Sequence, residues 1–240
     1  MKSKINPIQI KAVYRVLFCL LIFIVCPHLQ SKAINVGNVL DSYNLTWTEP
    51  GPTSQQSMPI GNGDIGLNVW VESNGDLVFY IGKTDAWSED NYGSWALLKV
   101  GRIRVSLNPK PALTPFAQIL KLRTGEIEIQ EGTTILRVWV DANNPVVRVE
   151  VKSEQPSTLT ATYENTRPKA LNGVSADIVY VGDPDQVTWY HRNTLTAVPS
   201  LSKLTFGAIM KGDGLVSKST SVLESSSPQL THTLSIYPQT

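Results

Sequence analysis

The sequence predicts an all-β chain folded as a large antiparallel β-sandwich. Three observations predict it. Apolar and polar residues alternate with a period of two through most segments after residue 57. Clusters of Gly, Pro, Asn and Asp separate these segments, as turns between short strands would. No segment after residue 33 carries a convincing helical stripe. Alternating strands have one apolar face each to bury, so the sheets are expected to pack face to face.

The first 33 residues read differently. Lys2, Lys4, Lys11 and Arg15 precede the apolar run 16–26, and Ser31-Lys32-Ala33 offers a small-x-small cleavage site, the pattern of a secretory signal peptide. That run is shorter than the roughly 20 residues a membrane-spanning helix needs, and Pro27 closes it. An uncleaved anchor is the alternative. Cleavage implies a secreted or periplasmic domain over residues 34–240, with no membrane span. It leaves 16 of the 21 basic residues against all 20 acidic ones, a formal charge of −4, and no basic stripe of the kind nucleic-acid binding requires. Cys19 and Cys26 leave as well, so neither a disulfide nor a thiol nucleophile remains.

Ile65, Leu67, Val69 and Val71 alternate with Gly66, Asn68, Trp70 and Glu72. Asn74-Gly75 then separates them from 77–81, the signature of a hairpin. The pattern recurs at 103–107, at Ile127 and Ile129 after Gly125, at Leu136, Val138 and Val140, and at Val147, Val149 and Val151. Further β-type runs are 159–163, 177–181, 187–190, 204–210, 215–222 and 230–237. Residues 166–175 and 217–228 read as loops.

Gly61, Gly63 and Gly66 have the spacing G-x-G-x-x-G. A dinucleotide site needs those glycines after a strand and at the opening of a helix, whereas here a polar irregular stretch precedes them and a strand pattern follows. They are read as a tight turn entering a strand, and no cofactor is expected. His191 and His232 are isolated, so no metal site is expected. Asp85, Glu89 and Asp90 cluster on what reads as one loop, but inverting hydrolysis needs two carboxyl groups roughly 6.5 to 9.5 Å apart, and proximity in sequence is no such pair. No catalytic residue is assigned. Trp87 and Trp95 offer flat apolar faces, and Lys83, Asp85, Glu89 and Asn91 offer hydrogen bonds to sugar hydroxyls. Equally, Trp87 could fill the core or meet another domain.

"MPIGNGDIGLNVWVE" and "GDLVFYIGKTDAWSE" resemble the start of the N-terminal β-domain of the α-L-fucosidase-type glycoside hydrolases, family ninety-five, and of a related uncharacterised domain family attached to such enzymes. Pro59, Gly61, Asn62, Gly63 and Gly66 match the turn of the fucosidase pattern, and Asp85, Trp87 and Ser88 match the segment that follows. Lys83-Thr84-Asp85 departs from the Asn-Glu-containing stretch of the fucosidases. "LLKVGRIRV" and "RVWVDANNPVVRVEV" fit the uncharacterised relatives better, so the likeness covers most of 57–152. The resemblance implies a supersandwich, followed in the same polypeptide by a helical linker and an (α/α)6 barrel that carries the acid and base of an inverting hydrolysis of glycans. The chain is then a non-catalytic domain with two partners, a carbohydrate and that barrel. Asn62, Asp64, Lys83, Asp85, Trp87 and Glu89 are the candidate contacts to either. A free-standing carbohydrate-binding or structural sandwich is the alternative.

Overall fold

Alternation gives most of the strands one apolar side, and the fold follows from burying those sides together. The structure, a computed structural model, describes residues 36–194 and 197–240. The expected signal peptide therefore lies outside the described residues. A short helix α1 (Val36–Asp41) comes first. The strands are β1 (Leu45–Trp47), β2 (Met58–Gly61), β3 (Ile65–Val71), β4 (Leu77–Glu89), β5 (Trp95–Asn108), β6 (Phe116–Lys121), β7 (Glu126–Glu131) and β8 (Thr134–Val140). They continue as β9 (Val147–Glu164), β10 (Ile178–Tyr180), β11 (Val187–Arg192), β12 (Thr205–Lys211), β13 (Leu215–Ser219), β14 (Val222–Ser225) and β15 (Gln229–Gln239).

All strand pairings are antiparallel, and they form two leaves. Leaf A runs β1-β6-β7-β8-β9-β15-β12-β11-β10, and leaf B runs β2-β3-β4-β5-β9-β14-β13. Strand β9 belongs to both. Its first part pairs with β8 and β15, and its last part with β5 and β14. Between them the register against β15 shifts, leaving residues 153–156 as a bulge whose residues 154–156 are exposed. A bulge accommodates Pro156, which cannot donate to a ladder.

The inner faces of the leaves form one core. Ile127, Val138 and Val149 from leaf A meet Leu67, Phe79 and Ile103 from leaf B in a single buried cluster. Trp189 of β11 ties the leaves together: its Nε1 donates to the Val100 carbonyl at 2.7 Å, and its ring stacks on Tyr163 with centroids 4.3 Å apart. Gly101 lies against that indole, where a Cβ would come within 3.0 Å of it.

The antiparallel sandwich expected from the alternation is present. Local readings needed revision. The runs 147–151 and 159–163 are one strand, because the bulge carries the chain across a polar stretch that resembles a turn. Asp85 and Glu89 sit on strand β4, not on a loop, since the ladder with β5 continues to Glu89↔Trp95. Residues 217–228 contain β14, and the run 215–222 is β13 with the turn into β14, the two strands forming a hairpin over 215–225. β1, β2 and β6 lacked a clear alternating signal.

Candidate functional site

Three glycines line up across the outer side of leaf B. Gly61 pairs with Gly66 on β3, and Gly66 pairs with Gly82 on β4. Cross-strand partners share a face, so the row is a floor without side chains. Gly61 has a local reason, because a Cβ there would lie 2.5 Å from the Ile65 carbonyl oxygen. Gly66 has none: its φ is unremarkable, and a Cβ would meet nothing within 4 Å. Gly82 is nearly as open, with only the Gly66 oxygen at 3.7 Å. Glycine inside a strand weakens it and commonly marks close approach of a ligand or another backbone.

The floor lies in a trough of about 510 Å³ lined by Pro59, Asn68, Lys83, Leu97 and Lys99 besides the glycines. Lys99 faces Gly82, and Leu97 faces Trp87, so the outer side continues into an aromatic border. Trp87 is 39% exposed, Leu97 47% and Trp95 60%. The Trp87 ring is fixed, since its Nε1 donates to the Thr84 carbonyl at 2.9 Å. Behind it, Asn193 Nδ2 donates to the carbonyls of Trp87 and Leu201.

Asn62 serves the turn. Its Oδ1 accepts from the amides of Asp64 and Ile65, and its Nδ2 donates to the Asp141 carbonyl at 2.9 Å, which ties this hairpin to the turn after β8. Gly63, at φ +96, completes that turn. Lys83 Nζ lies between Asp64, at 3.3 Å, and Asp85, at 2.9 Å. Burial works to lower the Lys83 pKa, but the hydrogen bonds to Asp85 and Asp64 outweigh it and hold the ammonium above its usual range. For Asp85 burial pushes upward. The Thr240 hydroxyl, which donates to it at 2.6 Å, and the Lys83 ammonium outweigh that and hold it below the usual carboxylate range. Glu89 turns inward and accepts from the Ala197 amide at 2.9 Å. Of the six candidate residues, Asp64, Lys83, Asp85 and Trp87 therefore stand together at one edge of the trough. Asn62 supports them from below, and Glu89 is set apart.

A general acid must hold its proton until the bond breaks, and Asp85 is held ionised. The arrangement is suited to binding and positioning, with the ion cluster and the aromatic border side by side next to a floor of bare backbone. The glycine pair Gly66–Gly82, with Leu97 and Lys99, escaped the reading of residues, because sequence shows which residues are glycine but not which glycines lie side by side. The buried group behind Asn193 was missed for the same reason. Among the described residues no cluster of three or more His, Cys, Asp or Glu is placed to hold a metal ion. Among them also, no helix is long and apolar enough to cross a membrane.

Residues 46–240 match the family model described as Domain of unknown function (DUF5703). No curated protein matches the chain. Among solved structures it is similar to a candidate kojibiose phosphorylase from human microbiome, at 11% identity and a TM-score of 0.42, over 83% of this chain and 32% of that one. The chain thus spans about a third of the length of that relative.

Proposed function

We propose, from the premise that the chain belongs to the DUF5703 family, that it is the non-catalytic β-domain of a secreted glycoside hydrolase. The outer side of leaf B receives the catalytic helical barrel of the same polypeptide. The Lys83–Asp85–Trp87 edge borders the bound glycan. One observation carries the reading: Gly66 and Gly82 sit side by side in open space, where their own fold gives no reason for glycine and a closely approaching surface does. Thr240 hydrogen-bonds to Asp85 at this edge, so residues following it in a longer product start there. The finer form, inverting hydrolysis of α-L-fucosides, is supported by the Pro59-x-Gly61-Asn62-Gly63-x-x-Gly66 turn, while Lys83-Thr84-Asp85 allows a different sugar.

Two variants test this in the full-length product. Gly66→Leu is expected to leave the thermal midpoint of the chain alone within about 3 °C, because the added side chain meets open space. In the full-length product the same change lowers kcat/KM at least about tenfold by keeping the domains apart. Trp87→Ala raises KM about three- to tenfold with little change in kcat, as loss of uniform binding does. Full activity in both variants, or glycoside turnover by the chain alone that Asp85→Asn abolishes, sinks the reading.

A further inference from the structure

We propose that the outer side of leaf A, on the other leaf from the glycine trough, carries a binding site for a short neutral oligosaccharide. The groove there has a volume of about 540 Å³, within the roughly 300 to 1,000 Å³ typical of small-molecule sites. The sequence builds it from alternate positions on four neighbouring strands. Trp139 of β8 faces Arg148 of β9, Arg148 faces Ser235 of β15, and Ser235 faces Lys211 of β12. These four side chains form one row across the sheet, since directly opposed residues share a face. Glu150 and Thr233 form the next row on one side of it, and Tyr237 lies on the other.

Both aromatic rings are half-buried and line the groove. Trp139 offers an apolar surface to the C–H face of a sugar ring at low cost in side-chain freedom, and Tyr237, with the Lys211 ammonium over its ring, forms an aromatic wall of the groove. The polar groups are held in place. Arg148 Nη1 donates to Ser235 Oγ at 2.8 Å, Thr233 Oγ1 donates to Asp213 Oδ2 at 2.8 Å, and Lys211 Nζ sits 5.1 Å from the centre of the Tyr237 ring. Glu150 is held by Lys152 at 3.1 Å.

Charge selects the ligand class. Arg148 and Lys211 stand against Glu150, Asp185 and Asp213, so the lining has no positive excess to attract a phosphate or a polyanion. It presents donors from Arg148 and Lys211 beside acceptors from Glu150, Asp185 and Asp213, of which Glu150 and Asp213 are held by neighbouring side chains. A hydroxyl donates and accepts at once, and a neutral polyol uses both kinds of partner. An amphipathic peptide would find too little apolar surface between the two rings.

The inference stands on this groove alone and does not depend on the role assigned to leaf B. Its test is titration of the chain with neutral oligosaccharides of glucose, galactose, mannose, xylose and fucose, followed by tryptophan fluorescence and calorimetry. At least one series is expected to bind with a Kd of about 10 µM to 1 mM. Trp139→Ala and Tyr237→Ala each weaken that binding at least about tenfold, and Arg148→Met about fivefold. Tyr43→Ala, at an exposed residue that lines neither this groove nor the glycine trough, leaves it unchanged. Trp139→Phe retains most of it, which separates loss of the ring from loss of the fold, and far-ultraviolet circular dichroism confirms the β-type spectrum of each variant. The proposal is overturned if no neutral oligosaccharide binds up to about 10 mM, if Trp139→Ala and Tyr237→Ala leave binding intact, or if inorganic phosphate or an acidic oligosaccharide binds in preference.

Discussion

Replacing Glu131 with glutamine is expected to stabilise the chain above about pH 8 by roughly 3 to 5 kcal/mol. Glu131 ends strand β7 on its inward side, is 0% exposed, and neither carboxyl oxygen finds a hydrogen-bond donor among the described residues. Burial pushes its pKa up from 4.5 to about 8; Lys110 works against that rise, and the Asp76 carboxylate adds to it. The sign follows from proton counting. Between about pH 4.5 and pH 8 the folded state keeps the proton that the unfolded state has released, so stability falls as pH rises through that window. Below pH 4.5 the contribution is complete, and above pH 8 it is gone. Glutamine cannot ionise and removes the dependence.

His232 acts in the opposite sense. Burial holds its pKa below 6.5 against the Ser157 carbonyl hydrogen bond, so its contribution is lost as pH falls. That contribution is common to both proteins and cancels in the difference. Urea unfolding of the wild type and Glu131→Gln at about pH 5 and about pH 9 measures that difference. Equal stability of the two proteins at the higher pH, or parallel profiles, would falsify the assignment.

The second large effect is expected at Asp177, whose removal as Asp177→Ala should cost about 3 to 5 kcal/mol. Its buried carboxylate accepts from Arg167 at 2.9 Å and from the Tyr163 hydroxyl at 3.0 Å, and lies 3.1 Å from His191 Nδ1. The other ring nitrogen of His191 meets Asn193 Oδ1 at 3.1 Å. Truncation leaves a guanidinium facing no counter-charge and a buried phenol and imidazole without their acceptor. Burial and then the Asp177 charge hold the Tyr163 phenol well above its usual pKa, so it stays a donor throughout the accessible range. A calorimetric midpoint lowered by roughly ten degrees is expected for a domain of this size. Asp177→Asn, which keeps an acceptor but not the charge, should cost less. A shift below about 2 °C for Asp177→Ala would show that the network contributes little.

The legible part of this protein is the part governed by period. Val69, Val71, Phe79, Ile103, Val138 and Val149 all alternate, and all point into the core. Gly63 and Asn74-Gly75 announced their turns, because a positive φ favours few residues. What stayed hidden depends on which strands become neighbours. Gly66 beside Gly82, or Trp139 beside Arg148 beside Ser235, exists only after register and strand order are known. His191 and His232 are isolated in sequence, and the sequence could not show that His191 bridges Asp177 and Asn193 beneath Trp87. Lys83 and Asp85 are two apart on one strand, so their contact was within reach, while Asp64 joins them from across a hairpin.

Strand β9 also dictates a sequence of events. Hairpins such as β3–β4 and β7–β8 join segments close in the chain, and loops of that length close within microseconds. β9 makes a local hairpin with β8, but its other partners are remote: Ser106 meets Thr160 across fifty-four residues, and Thr233 meets Glu150 across eighty-three. Neither leaf is complete until this one strand is seated, so early hairpins wait with their apolar faces uncovered for the slowest long-range closures. A ribosome that has released residues up to Glu164 but not yet β15 holds leaf A with β9 unpaired on one side. That half-built edge is where a chaperone would be needed, and where neighbouring nascent chains would pair by mistake.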